Sequence, residues 1–306
     1  MSRVRASLMA ALAAGAMVLA ACGGGDPLQP ADDSGNGQDS TGTIVVGSAD
    51  FTENVLLAEI YAGALRSSGA DVTTQLRVGT RESLFRGLQD ESLGVVPEYS
   101  GNLLAYLDDS AQQTEPDDVY AALQRALPEG LAVLDKAEAE DSDVLVVTRA
   151  TAQEHDLTTV DDLGPLCDQF TLGAAGEWKQ RWEAEIRETY GCTFMSIQTT
   201  DAGGPITVEA LKSGRVQVAN MFTTASAIEA NGFVELTDTK RMYPAQNVVP
   251  LIREGALDDA ARKALNQVSA ALDTARLTAL LARVEVDKEN AADIAAEFLA
   301  EAGIGT

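Results

Sequence analysis

The chain has 306 residues and a formal net charge of −25, with 45% hydrophobic residues. That hydrophobic content indicates a globular protein rather than a wholly disordered chain. The strong negative charge disfavours binding to nucleic acid. The length accommodates two domains with cores of their own.

The first 22 residues predict a lipoprotein signal peptide. Arg3 and Arg5 form a basic start, and an apolar run follows over residues 8–21. Such a run is typical of a secretory signal that is later removed. It ends in Leu19-Ala20-Ala21-Cys22, which resembles the bacterial lipobox. We therefore expect acylation of Cys22, the alternative being an ordinary signal peptide with a chance cysteine.

Residues 23–42 predict a flexible tether behind the anchor. The stretch is built from Gly, Asp, Ser, Asn, Gln and Pro with little apolar content, so it has little apolar surface to bury. No later apolar run reaches membrane-spanning length, and the chain therefore supplies no pore of its own. We expect a protein held by lipid on the extracytoplasmic face of the cell membrane.

Two cysteines remain once Cys22 is assigned to lipid. Cys167 and Cys192 form an even pair in an oxidising compartment, which favours a disulfide over two buried thiols. On the chain-entropy model such a bridge contributes about 3 kcal/mol.

Short strands alternate with helices through the first half of the chain. A β-branched run predicts a strand at 43–47, and the helix after it is capped by Asp50 or Thr52 and ended by Gly69. Further strands are predicted at 71–78 and 93–97. Further helices are predicted at 82–89, after Gly101, and at 114–127, where Pro116 lies in the first turn.

The second half repeats this alternation and then becomes helical. Strands are predicted at 143–148, 170–173, 194–199, 216–221, 233–236 and 246–253. Helices are predicted at 159–162, 177–190, 205–213, from 224, and at 258–272, 275–282 and 291–302. A series of this kind indicates layered α/β architecture.

Four phrases, in this order and spacing, carry a resemblance to a known family. They are Gly47–Glu53 (GSADFTE), Pro97–Gly101 (PEYSG), Leu211–Gly214 (LKSG) and Asn247–Pro250 (NVVP). Together they resemble substrate-binding proteins of osmoprotectant ABC importers of the glycine betaine, choline or carnitine type. The resemblance covers roughly residues 43–302.

The resemblance implies the type II periplasmic binding protein fold, in which two α/β lobes are joined by two crossing strands. Lobe one is expected to comprise 43–146 and 248–306, and lobe two 147–247. The crossings are expected near 143–148 and 246–249. A middle α/β block that interrupts an outer one agrees with the predicted order of elements.

The function implied by the resemblance is capture of a quaternary ammonium osmoprotectant between two closing lobes. Separate permease and ATPase subunits are then required as partners, and no cofactor is expected. Three alternatives stay open. The first is a receptor for a different small cationic or zwitterionic solute. The second is a sensory lipoprotein without a transport role, and the third is a surface enzyme on the same fold.

The chemistry of such a solute determines which residues are candidates. A quaternary ammonium donates no hydrogen bond, so aromatic faces must surround the cation. By resemblance Tyr99 matches the cage tyrosine of the family, the alternative being a ring packed under a loop. Phe51 follows the first strand, where it lines the cleft or staples the helix.

The second lobe supplies the other candidates. Phe222 stands where relatives often carry a cage tyrosine, and Trp178 matches an aromatic in a segment that ends in arginine. Arg181 then matches the residue that holds a ligand carboxylate. For Trp178 and Arg181 the alternative is a solvated helix face.

Polar candidates and two departures complete the predicted site. The remaining ligand-binding predictions are Asp50, Thr80, Ser100, Thr223 and Thr224, although hydroxyls in such places are often helix caps. Relatives often carry lysine in the first phrase, where this chain has Ala49. Residues 136–143 contain no aromatic side chain, and Asp143 is a candidate to replace the lost ring.

No motif for catalysis or for a metal accompanies this pattern. His155 is the only histidine, and its polar surroundings predict a surface loop rather than a catalytic base. Neither HExxH, CxxC, a P-loop nor a nucleophile elbow is found. We therefore predict neither an enzyme nor a metal site.

Overall fold

The computed structural model of the chain describes residues 42–201 and 203–305. The predicted signal peptide 1–22, with Cys22, lies outside the described residues, as does the predicted tether 23–42 except for Gly42. Among the described helices, none is both long and apolar enough to cross a membrane.

The first of two five-stranded sheets combines strands from the start of the chain with one that returns late. Its strands are β1 (Ile44–Ala49), β2 (Val72–Gly79), β3 (Val95–Tyr99), β4 (Leu131–Val133) and β10 (Val248–Arg253). They lie in the order β2-β1-β3-β10-β4. β1 pairs in parallel with β2 and β3, whereas β10 pairs antiparallel with β3 and β4.

Seven helices belong to the chain segments that build this sheet. They are α1 (Thr52–Ser67), α2 (Arg81–Gln89), α3 (Ser100–Leu107), α4 (Pro116–Ala126), α10 (Asp259–Ala271), α11 (Thr274–Glu285) and α12 (Ala291–Glu301). α1 is the central helix of one core and packs against α10 and α12. Leu56, Ile60 and Leu65 of α1 are fully buried there. α2, α3 and α4 enclose a second apolar cluster on the other face.

The second sheet has the same plan. Its strands are β5 (Asp143–Val147), β6 (Thr171–Ala174), β7 (Ser196–Thr199), β8 (Val218–Phe222) and β9 (Val234–Leu236). They lie in the order β7-β6-β8-β5-β9, with β6 parallel to β7 and β8 and with β5 antiparallel to β8 and β9. The helices here are α5 (Arg149–His155), α6 (Val160–Leu163), α7 (Gly176–Tyr190), α8 (Pro205–Lys212) and α9 (Ser226–Asn231).

The chain passes between the two sheets twice, and the two passages run side by side. Glu140 and Asn247 form an antiparallel bridge, and the Asp141 amide donates to the Gln246 carbonyl. α3 packs closely on this crossing, because a Cβ atom on Gly101 would lie 2.6 Å from the Ala245 carbonyl oxygen. We call these two connections, which meet at Glu140–Asp141 and Gln246–Asn247, the hinge.

The second sheet begins before the predicted limit of lobe one at residue 146. Among the described strands β5 pairs with β8 and β9, so Asp143–Val147 belongs to the second sheet. β10 belongs to the first sheet from Val248. The lobe limits 43–146, 147–247 and 248–306 remain a prediction.

A disulfide joins Cys167 and Cys192, whose Cα atoms are 5.3 Å apart. It ties the 3₁₀ turn at Gly164–Gln169 to the chain that leaves α7. Both cysteines are fully buried among the apolar residues of the second lobe. The bridge therefore braces the side of the second lobe that carries α7.

Several local expectations need correction. α1 begins after Phe51, and neither Asp50 nor Thr52 caps it with its side chain. β4 was not predicted. His155 ends α5 rather than lying in a loop, and its ring contacts that of Phe170 edge-on at 5.2 Å.

Candidate ligand cleft

A large cleft separates the two lobes, with a volume of about 1450 Å³. It lies where parallel strands end, since β1, β2, β3 and β8 each deliver their carboxyl ends to it. Crevices at this position are the usual ligand sites of open α/β sheets. Residues of the hinge form part of the wall, among them Asp141.

Two aromatic rings lie on the lobe-one wall. Tyr99 ends β3 and is 6% exposed, while Phe51 follows β1 and is 42% exposed. Their ring centroids are 6.1 Å apart with an interplanar angle of 29°. The exposed Phe51 ring therefore extends the apolar surface of Tyr99 toward the entrance.

The facing wall comes from the end of β8. Phe222 is half-buried and lines the same cleft as Tyr99. The register of the second sheet places it opposite Asp143 in β5. Thr224 lies two residues further on, is buried, and donates its hydroxyl to Asp141 Oδ1 at 2.7 Å.

A carboxylate lies beside the aromatic pair. Glu53 is 4% exposed, and its Oε1 accepts a hydrogen bond from the Tyr99 hydroxyl at 2.6 Å. Its Oε2 is buried without a hydrogen-bond partner. Burial raises the pKa of the Glu53 carboxyl, the hydrogen bond from Tyr99 opposes that rise, and the charge of Glu285 adds to it.

A second carboxylate comes from the hinge. Burial raises the pKa of Asp141 well above its ordinary value, and the neighbouring Glu53 charge raises it further. Two neighbouring carboxylates in a poorly solvated wall repel each other when both are ionised. One of them therefore holds a proton, or a cation binds beside them. Burial and the same two carboxylates also raise the pKa of Tyr99, which therefore keeps its proton.

The most buried base of the cleft wall is already paired. Arg81, at the start of α2, donates to both oxygens of Glu98 at 2.8 and 2.9 Å. Glu98 is buried in β3, directly before Tyr99. This two-point pair orients the arginine and neutralises the deepest positive charge on the wall.

A family model supplies the comparison that decides the assignment. Residues 42–301 match the model described as the substrate binding domain of an ABC-type glycine betaine transport system. The chain belongs to this family.

Two curated relatives agree with the family assignment. Glycine betaine-binding protein YehZ of Escherichia coli is 26% identical over 276 residues, covering 85% of this chain and 90% of that protein. Glycine-betaine-binding protein of Pseudomonas aeruginosa is 25% identical over 276 residues, covering 85% and 88%.

Solved structures support the fold of this substrate-binding protein. The structure described as a glycine betaine/carnitine/choline ABC transporter superposes with a TM-score of 0.78 at 18% identity, covering 86% of this chain and all of that one. Apo YehZ from Escherichia coli gives a TM-score of 0.71 at 24% identity, covering 86% and 99%. The predicted type II fold with two α/β lobes is confirmed.

Six of the ten predicted ligand residues line the cleft of this substrate-binding protein. They are Asp50, Phe51, Thr80, Tyr99, Phe222 and Thr224. The first four come from lobe one and the last two from lobe two. Asp50 and Thr80 are exposed near the entrance, and Asp50 pairs with Arg77 at 3.0 Å.

Two of the predicted hydroxyls hydrogen-bond to the backbone of the hinge instead. Ser100 is fully buried, donates to the Ala245 carbonyl at 3.2 Å and accepts from the Asn247 amide at 3.0 Å. Thr223 donates to the Glu140 carbonyl at 3.0 Å and accepts from the Ser142 amide. Both hydroxyls are already engaged by backbone groups of the crossing, which keeps them out of the cleft.

Neither of the two candidates on α7 lines the cleft. Trp178 is buried in the core of the second lobe, where its indole N–H donates to the Tyr243 hydroxyl at 2.8 Å. Arg181 is exposed and donates to Asn102 Oδ1 of the first lobe at 3.0 Å. Arg181 therefore bridges the lobes beside the cleft.

Sequence reasoning missed two acids of the cleft wall, Glu53 and Asp141. Glu53 lies inside the first family phrase. Its spacing from Asp50 is that of a helix cap, so the sequence contains no sign that its carboxylate lines the cleft. Asp141 lies in an acidic run where nothing in the sequence distinguishes it from its neighbours. Only the fold brings these carboxylates to one wall, together with Tyr99 and Thr224.

Proposed function

We propose that this substrate-binding protein captures a quaternary ammonium osmoprotectant in the cleft and delivers it to separate ABC permease and ATPase subunits. The observation that carries the proposal is the shared cleft, to which lobe one brings Tyr99 and Phe51 and lobe two brings Phe222. Membership of the family supports the transport role.

The walls of the cleft suit a cation that makes no hydrogen bonds. Aromatic faces attract such a cation with about 0.5–2 kcal/mol each, most strongly when the contact is desolvated. The carboxylates of the buried Glu53 and the half-buried Asp141 lower the local electrostatic potential further.

Closure of the lobes completes the site. The cleft is larger than the range of about 300–1,000 Å³ common for small-molecule sites. The crossing at Glu140 and Asn247 gives the lobes an axis on which to close. Solute shifts the population toward the closed form only through contacts that the open form lacks, and Phe222 supplies such a contact.

The anchor and the partners follow from the sequence. We expect Cys22 to carry lipid and to hold the protein on the extracytoplasmic face of the membrane, close to its permease. Metabolic labelling with a fatty acid tests this point, since label should attach to the wild type and be absent from Cys22→Ser. Label on both proteins would contradict the anchor.

A solute panel tests the ligand class. Thermal-shift and calorimetric titrations of the purified protein should include glycine betaine, choline, carnitine, proline betaine and ergothioneine, with amino acids as controls. We expect saturable binding of at least one quaternary ammonium compound. We also expect the bound compound to be recovered chemically unchanged. Binding of amino acids alone would contradict the proposed class, and turnover of the bound compound would indicate an enzyme.

A further inference from the structure

The cleft wall carries more acidic than basic side chains. Its acidic residues are Asp50, Glu53, Glu98, Asp141 and Glu285, and its basic residues are Arg77, Arg81 and Lys288. A solute that enters the cleft therefore meets an excess of negative charge. How these charges pair determines which solute charge the cleft accepts.

Each base of this wall is already engaged. Arg77 pairs with Asp50 at 3.0 Å, and Arg81 makes its two-point pair with Glu98. Lys288 is exposed and donates to the backbone carbonyl of Glu285 at 2.5 Å. No arginine lining the described cleft is left without an acidic partner for a ligand carboxylate.

Arg181, the base that the family pattern assigns to a ligand carboxylate, is engaged as well. It donates to Asn102 at 3.0 Å, and its guanidinium lies 5.0 Å from the centre of the Trp182 ring. Its charge also opposes the burial that raises the pKa of Asp143. A ligand carboxylate would have to replace these contacts in order to reach Arg181.

Three acids of the wall have no basic partner among the described residues: Glu53, Asp141 and Glu285, the last of which accepts from the Ser226 hydroxyl at 3.2 Å. Glu53 and Asp141 make no salt bridge among the described residues. Glu53 Oε2 is buried with no hydrogen-bond partner, at a wall that already holds Tyr99. An unpaired buried carboxylate is costly, and a cation in the cleft removes that cost.

We infer that the cleft selects solutes of net positive charge over zwitterions, with Glu53 and Asp141 as the specificity-determining residues. The inference rests on the proposed function and narrows its solute class. A zwitterion brings its own carboxylate into a wall whose acids already outnumber its free bases. A cation without a carboxylate meets the same rings and avoids that repulsion.

A matched pair of solutes isolates the difference. Choline and glycine betaine share the trimethylammonium head, and choline carries a hydroxyl where glycine betaine carries a carboxylate. Calorimetric titration of the wild-type protein at neutral pH should give choline at least tenfold higher affinity. Equal affinity, or tighter binding of glycine betaine, would overturn the inference.

Amide variants identify the residues responsible. Glu53→Gln and Asp141→Asn keep the side-chain shape and remove the charge, so the choline preference should fall at least threefold in each. Asp161→Asn is the matched control, because it makes the same change in an exposed acid that pairs with Lys240 and does not line the cleft. The affinity ratio is measured within one variant, so partial loss of folded protein does not change it. An unchanged ratio in both amide variants would refute the assignment.

Titration with tetramethylammonium distinguishes a failure of this inference from a failure of the proposed function. The ion carries neither hydroxyl nor carboxylate, so its binding reports on recognition of the ammonium head alone. If it binds and glycine betaine equals or exceeds choline, the proposed function stands and the charge selection fails. If tetramethylammonium, choline and glycine betaine all fail to bind, both fail.

Discussion

Replacing Tyr99 with alanine removes the most buried ring of the cleft wall. The ring is 6% exposed, so a cation against it is largely desolvated. Under that condition one cation–π contact contributes about 2 kcal/mol. Since about 1.4 kcal/mol corresponds to a tenfold change in affinity, Tyr99→Ala should weaken binding of a quaternary ammonium solute by about tenfold to thirtyfold.

Calorimetric titration with two companion variants makes this test specific. Tyr99→Phe keeps the ring and loses only the hydroxyl that donates to Glu53, so it should weaken binding less than alanine does. Tyr106→Ala removes an exposed ring of α3 that does not line the cleft and should leave affinity unchanged. Far-ultraviolet circular dichroism verifies that each variant is folded. Wild-type affinity in a folded Tyr99→Ala protein would refute the assignment of the cleft.

Three further predictions follow from the acids and the disulfide. Glu53→Gln should raise the melting temperature of the empty protein at neutral pH and weaken cation binding, because a buried charge disappears; no change in either would contradict this role. Burial raises the pKa of Glu53 and Asp141 above their ordinary values of 4.5 and 3.8, so the empty protein gains stability from them at low pH and loses it as pH rises through the raised values. A bound cation favours their ionised form, so its affinity should increase with pH, and a flat calorimetric series from about pH 5 to pH 8 would contradict this. Reducing the Cys167–Cys192 disulfide should lower the free energy of unfolding by about 3 kcal/mol, and unchanged denaturant midpoints despite titratable thiols would contradict that estimate.

Features set by neighbouring residues were predicted well from the sequence. The short helix α6 is one, because Thr159 and Asp162 form a capping box within three positions of each other. Most strands and helices also agree to within a few residues, since hydrophobic periodicity is a local signal. β4 escaped because its three residues form a strand only by pairing with β10, far along the chain.

The same distinction explains the candidate site. Tyr99 was found because a family phrase contains it, and Phe222 because relatives often carry a cage tyrosine at its position; the structure brings both to one cleft. Trp178 has a local pattern that suits a wall residue, but its partner is Tyr243, 65 positions away. The contact between Glu53 and Tyr99 spans 46 positions. No local pattern reveals that contact, nor the lack of a basic partner for Asp141.

Capture of a cation between the two lobes is the central claim, and a crystal structure of the protein grown with choline tests it most directly. We expect the choline nitrogen within about 6 Å of the Tyr99 ring centre, with Phe222 contacting it from the opposite lobe. Choline bound outside this cleft, or held by one lobe without the rings, would contradict the account.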